Sequence, residues 1–144
     1  MGFKKALITG IVAGLAMGLA LFLVGAIAAR VTYGPQFAPE GKFEPQQLNP
    51  FYFFWTKIAI GVFFGLLMTL LYEALPLSRR IASVAGGLKY AFWLWLVVYL
   101  WGLSHPLVYE KVMLRHQLFW TIYTLGGFLG YGAMLGWMYK RGGI

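Results

Sequence analysis

The sequence predicts an all-α integral membrane protein, a four-transmembrane-helix bundle formed by a single membrane domain of residues 1–144. Of its residues 60% are apolar and only 11% are charged, whereas soluble domains have roughly 45–50% apolar and about 25% charged residues. Four stretches are long enough to cross a hydrocarbon core of ~30 Å at ~1.5 Å per residue. We expect each to be helical, because a span in lipid must satisfy its own backbone hydrogen bonds.

The first span is predicted at residues 6–29, which carry no charge and follow Lys4 and Lys5. A basic start before an apolar run is also typical of a secretory signal, but the apolar part of a signal is only ~7–15 residues long. We therefore expect a retained transmembrane helix. The other spans are predicted at residues 54–75, 81–103 and 117–139.

The first connection, residues 30–50, has the composition of a loop without long secondary structure, because it contains Pro35, Pro39, Pro45 and Pro50. Loops of this length are often functional.

The basic residues predict the orientation. One side of the membrane receives Lys4, Lys5, Arg79, Arg80, Lys140 and Arg141, and the other receives Arg30, Lys42, Lys111 and Arg115 beside three of the glutamates. Since basic residues are enriched on the cytoplasmic side, both termini are predicted to be cytoplasmic in a bacterial inner (plasma) membrane. The net charge of +8 then reflects topology and anionic lipid, and nucleic acid is not an expected partner.

A short motif recurs in the second and fourth spans. Phe54-Trp55-Thr56 precedes Gly61, Phe63 and Gly65, and at the same spacing Phe119-Trp120-Thr121 precedes Gly126, Phe128 and Gly130. The recurrence predicts a tandem repeat of two helical hairpins related by an axis along the membrane normal. Coincidence stays open as the alternative, because glycine and phenylalanine are common in this chain.

Small residues recur every four positions and allow helix backbones to approach closely. The helix-packing positions predicted in this way are Gly10, Gly14, Gly18, Gly61, Gly65, Gly126 and Gly130. Packing within the bundle is one interpretation. An oligomer or partner interface formed by the stripes of the first and fourth spans is the other.

Charged residues within the spans are candidates for function, because a charge in the bilayer is costly unless it is paired or reaches the interface. Glu73 lies near the cytoplasmic end of the second span, and its expected ion-pair partners are Arg79, Arg80 and Lys89. A carboxylate that couples transport to protons or cations is the alternative. Lys57 is expected to extend toward the outer surface.

A Ser/His/Asp set and a thiolate nucleophile are excluded, since aspartate and cysteine are absent from the sequence. His105, Glu110 and His116 fall on the outer side and are weak candidates for a metal, or the two histidines for a haem. Two histidines at this spacing are a weak pattern. We therefore predict no catalytic residues, no metal and no cofactor.

One half of the chain resembles small four-span bacterial inner-membrane proteins of unknown function. The resemblance is carried by Gly65-Leu66-Leu67, Leu71-Tyr72-Glu73-Ala74-Leu75-Pro76, Arg79-Arg80, Gly87-Leu88-Lys89-Tyr90 and Trp93-Leu94-Trp95-Leu96. It implies the four-span fold and no activity.

The sequence favours a non-enzymatic accessory or assembly subunit, or a scaffold that self-associates through its glycine-rich helix faces. The expected partners are membrane lipids and either further copies of the chain or a larger membrane complex. One alternative is a small transporter or channel subunit, working as a homo-oligomer, with a pathway lined by Glu73, Lys89, Thr69 and Tyr72. A second alternative is a lipid- or quinone-binding membrane protein.

The predicted orientation is testable because the chain contains no cysteine. In intact cells, a membrane-impermeant thiol reagent should label Gln46→Cys, in the first connection, and should not label Gly2→Cys until the membrane is permeabilised. The positive-inside distribution is the physical reason. Labelling of both positions without permeabilisation would contradict the orientation.

Overall fold

The structure is a computed structural model that describes residues 3–33, 50–74, 81, 83–103 and 114–140. These residues form four helices, which are α1 (Phe3–Tyr33), α2 (Pro50–Ala74), α3 (Val84–Leu103) and α4 (Leu114–Lys140). All four are long and apolar enough to cross a membrane. The predicted all-α fold with four candidate spans is therefore confirmed.

The third helix begins at Val84, three residues later than predicted. Its start is explained by Ser83, whose Oγ accepts a hydrogen bond from the backbone N–H of Gly86 at 3.1 Å. Serine is a preferred N-cap because its oxygen satisfies an N–H that has no partner within the first turn. The N–H of Ile81 instead donates to the hydroxyl of Tyr72 at 3.2 Å, which joins the start of α3 to the end of α2.

Neighbouring helices run in opposite directions. Along α1, the successive residues Gly10, Gly14 and Gly18 lie against positions of α2 in descending order, 66, 61 and 58. The contacts of α1 with α4 and of α3 with α4 descend in the same way. We call the end with Phe3 and Lys140 the terminal end, and the end where α1 and α3 stop the loop end.

The two inner helices of the arrangement are α1 and α4. Helix α1 packs closely against both α2 and α4, and α4 also packs closely against α3. The spatial order is therefore α2, α1, α4, α3. Helix α2 contacts α3 and α4 through side chains, such as Tyr90 at Met68 and Tyr131 at Thr69.

The two glycine pairs of the repeated motif face the same helix. Gly61 and Gly65 of α2 lie against α1, and Gly126 and Gly130 of α4 lie against Val24, Ala20 and Ala16, which also belong to α1. Two duplicated hairpins would direct the second pair toward α3 instead. These contacts do not carry the duplication, which stays a prediction from the sequence.

Glycine allows the backbones of α1 and α2 to touch. A Cβ at Gly14 would lie 2.7 Å from both the carbonyl oxygen of Gly61 and the Cα of Val62. Backbone atoms cannot rotate away as a side-chain end can, so a larger residue must push the helices apart. The same applies between α3 and α4, where a Cβ at Gly136 would lie 2.7 Å from the Cα of Val84.

The core is continuous along the bundle and includes bulky apolar and aromatic residues from all four helices. Its buried members include Met17, Leu21, Met68, Tyr72, Ala91, Trp95, Tyr123, Phe128, Tyr131 and Leu135. Large apolar side chains also cover the outer faces, as expected where the surrounding solvent is lipid. Phe63 of α2 and Trp101 of α3 are 64% and 76% exposed.

We expect Gly14→Ala to lower the free energy of unfolding by ~1–3 kcal/mol, the usual cost of overpacking a tight site. Gly102→Ala is the matched control, because a Cβ there meets nothing within 4 Å. Alanine is the better helix former in a helix interior, so the loss expected at Gly14 comes from its contact with α2. Thermal unfolding of both variants in one detergent measures the difference, and equal midpoints would contradict the account.

Candidate functional site

Four tyrosines from three helices meet in the half of the bundle nearest the terminal end. Tyr72 of α2 has its ring centroid 5.0 Å from that of Tyr90 on α3 and 5.3 Å from that of Tyr139 on α4. Tyr131 of α4 is fully buried beside them. We call Tyr72, Tyr90, Tyr131 and Tyr139, with Thr69 and Glu73, the tyrosine cluster.

The hydroxyl groups of this cluster join helices that have little backbone contact. Thr69 Oγ1 and the Tyr131 hydroxyl lie 3.0 Å apart, and the Tyr90 hydroxyl donates to the carbonyl oxygen of Met68 at 3.1 Å. Unpaired polar groups are costly in lipid. In the described part of the chain, every buried side-chain nitrogen and oxygen has a hydrogen-bond partner.

Glu73 is half-buried at the edge of the cluster. Its carboxylate accepts a hydrogen bond from the Tyr139 hydroxyl, and bonds to an ionised acceptor are roughly twice as strong as neutral ones. Of the partners expected from the sequence, Lys89 has an exposed side chain on α3, and Arg79 and Arg80 lie outside the described residues. The sequence missed Tyr139, because nothing in it shows how α2 and α4 are rotated toward one another.

The residues predicted to line a transport pathway are only partly brought together. Thr69, Tyr72 and Glu73 belong to the tyrosine cluster, and the first two are fully buried within one chain. Lys89 is exposed outside the cluster. The arrangement is therefore a hydrogen-bonded joint between helices, with one carboxylate at its edge.

A second polar set connects α3 to α4 toward the loop end. The indole N–H of Trp95 donates to Thr124 Oγ1 at 2.9 Å, and the hydroxyl oxygens of Tyr99 and Thr121 lie 2.7 Å apart. Gln117 Nε2 donates to the same Tyr99 hydroxyl at 2.9 Å. These bonds hold the half of α3 that is farthest from the tyrosine cluster.

Lys57 forms a third feature, between α2 and α4. Its ammonium nitrogen lies 4.9 Å from the ring centroids of both Phe53 and Tyr123, within the distance of a cation–π interaction. Phe53 lies one helical turn closer to the loop end, so the side chain extends toward that end. The contact with Tyr123 was not predicted, because it depends on the approach of α4.

The metal hypothesis has no structural counterpart in the described residues. His105 and Glu110 lie outside them, and for His116 only the helical backbone is described. Among the described residues, no group of three or more histidine, cysteine, aspartate or glutamate side chains is positioned to hold a metal ion.

The chain matches no protein family, no curated protein and no solved structure.

We expect Thr69→Val and Tyr131→Phe each to lower the free energy of unfolding by ~0.6–2 kcal/mol, because each leaves a buried hydroxyl unpaired or removes its bond. The double variant should lose less than the sum of the two, since both substitutions break the same bond. Tyr52→Phe is the control, because Tyr52 is 69% exposed. Chemical unfolding in mixed micelles measures the free energy of unfolding of the wild type, the two single variants and the double variant. Strictly additive losses would show that the two hydroxyls are not coupled.

Proposed function

We propose that this chain is a non-enzymatic structural protein of the bacterial inner membrane that acts as an accessory or assembly subunit of a larger membrane complex. The observation that carries the proposal is the mutual pairing of the polar side chains inside the bundle. Thr69 with Tyr131, Trp95 with Thr124, and Tyr99 with Thr121 each link two helices. Such fixed bonds favour a rigid unit over one whose internal groups exchange partners with a passing solute.

The surface for association is, on this proposal, the outer side of α2 and α3. The glycines expected to join copies, such as Gly14 and Gly130, are covered by helices of the same chain, so they are not available for a second chain. The outer faces carry large aromatic side chains, among them Phe63, Trp93 and Trp101. Either lipid or the partner subunit covers these rings in the membrane.

The transporter alternative has weaker support. It needs a pathway between copies that is lined by Glu73, Lys89, Thr69 and Tyr72. Thr69 and Tyr72 are instead buried within one chain, and Lys89 is exposed on α3. Of the lipid- or quinone-binding alternative, the quinone has no contact in its favour among the described residues.

We also propose the cytoplasmic location of both termini and the class suggested by the resemblance, small four-span inner-membrane proteins. The positive-inside distribution supports the first. The presence of Phe3 and Lys140 at one end of the bundle is consistent with it.

Extraction of the protein into native lipid nanodiscs, followed by mass spectrometry, tests the proposed function. We expect a stable assembly that contains further membrane proteins or further copies, and that is reduced by Phe63→Ala combined with Trp101→Ala. Leu23→Ala is the control, because Leu23 is a 58% exposed residue of α1, outside the proposed surface. A single chain surrounded by lipid alone would contradict the proposal.

A further inference from the structure

Lys57 lies near the loop end of its candidate span. Lys57 comes six residues after Phe51, the first residue of its candidate span, which corresponds to ~9 Å along the helix axis. The ammonium extends back over the ring of Phe53, so it lies closer to the membrane surface than its own Cα. A lysine near the end of a span characteristically reaches the interface in this way.

The ammonium is held by an aromatic support built from three helices. Besides Phe53 and Tyr123, the support includes Phe22 of α1, whose ring centroid lies 5.9 Å from that of Phe53. On α4, Phe119 stacks on Tyr123 with centroids 5.5 Å apart. Gly25 of α1 makes room for the Tyr123 ring, since a Cβ there would lie 3.0 Å from a ring carbon. The position of the charge is therefore fixed by packing.

The contacts described for this ammonium leave its charge uncompensated. Ring faces attract a cation but carry no net negative charge, and an ammonium has three N–H donors. Glu73, the one carboxylate among the described residues, lies sixteen positions farther along α2, or ~24 Å away along the axis. The other glutamates, Glu40, Glu44 and Glu110, lie outside the described residues, and an anion from outside the four helices would complete the site.

We propose that Lys57, supported by Phe53 and Tyr123, binds the phosphate of an anionic phospholipid. This inference does not depend on the proposed structural function. Aromatic cages of this kind bind the quaternary ammonium of choline, but here the protein's own lysine occupies the position between the rings. The site therefore presents a positive charge and favours a headgroup that has no cation of its own.

The apolar surface below Lys57 favours a lipid over free phosphate. Ile60 and Phe64 follow Lys57 by three and seven residues, which is the spacing of one helix face. Both side chains are 37% exposed, and they continue from the ammonium into the depth of the span. An acyl chain covers this surface, whereas inorganic phosphate gains nothing from it.

The test is native mass spectrometry of the full, delipidated chain in detergent, titrated with phosphatidylglycerol or phosphatidylcholine. The wild type should prefer phosphatidylglycerol. Lys57→Gln should weaken binding of that lipid about tenfold, because it removes a hydrogen bond from the ammonium to the charged phosphate, and tenfold corresponds to ~1.4 kcal/mol. Lys57→Arg should retain it within about twofold, because the charge and its ring contacts persist. Lys57→Met replaces Lys57→Gln if the glutamine variant does not fold.

Lys89→Gln is the matched control, because Lys89 is an exposed lysine on a different helix, and it should bind phosphatidylglycerol as the wild type does. Equal losses in Lys57→Gln and Lys89→Gln would overturn the proposal in favour of nonspecific charge attraction. An unchanged affinity in Lys57→Gln would overturn it as well, as would equal binding of the two lipids by the wild type. Displacement of phosphatidylglycerol by millimolar inorganic phosphate would overturn the lipid assignment in favour of free phosphate.

Discussion

The direct approach of helix backbones along α1 is the interaction on which the rest of the structure depends. In lipid, the hydrophobic effect does not drive helices together, so close packing must supply the attraction. Gly14 meets the backbone of Gly61 on one side of α1, and on the other side a Cβ at Gly130 would lie 3.2 Å from the carbonyl oxygen of Ala16. Because α1 is held on two sides, α2 and α4 are fixed relative to one another although their own contact is limited to side chains.

The polar contacts are a consequence of this arrangement. Once α2 and α4 are held against α1, the tyrosines near the terminal end come within hydrogen-bond distance of Thr69 and Glu73. Near the loop end, the same geometry brings Tyr123 of α4 to Lys57 of α2. One end of the bundle is thus closed by neutral hydroxyl pairs and a carboxylate, while the other carries a cation supported by rings. The terminal end therefore holds the hydrogen-bonded joint between helices, and the loop end holds the proposed lipid site.

The fold class could be predicted because it follows from composition and the length of uncharged stretches, which are local properties. The residues that permit close packing were also visible, since glycines at four-residue spacing form one helix face. The sequence does not show which helix each glycine face contacts. Gly130 could therefore be interpreted as part of an interface between copies, whereas it lies against Ala20 of the same chain. The same lack of rotational information concealed the bond between Tyr139 and Glu73. Helix α3 begins three residues inside the predicted span because Ser83 acts as its N-cap.

The central claim is that α1 packs against α4 within one chain, and disulfide formation tests it most directly. The chain has no native cysteine, and a Cβ at Gly126 would lie 2.9 Å from the Cβ of Val24, so a separation of the two helices by roughly 0.6 Å brings the pair to the ~3.5–4.5 Å of a disulfide. Mild oxidation of the Val24→Cys and Gly126→Cys double variant should therefore give a cross-linked monomer that has lost both free thiols. Disulfide-linked dimers, or thiols that remain free, would contradict the account.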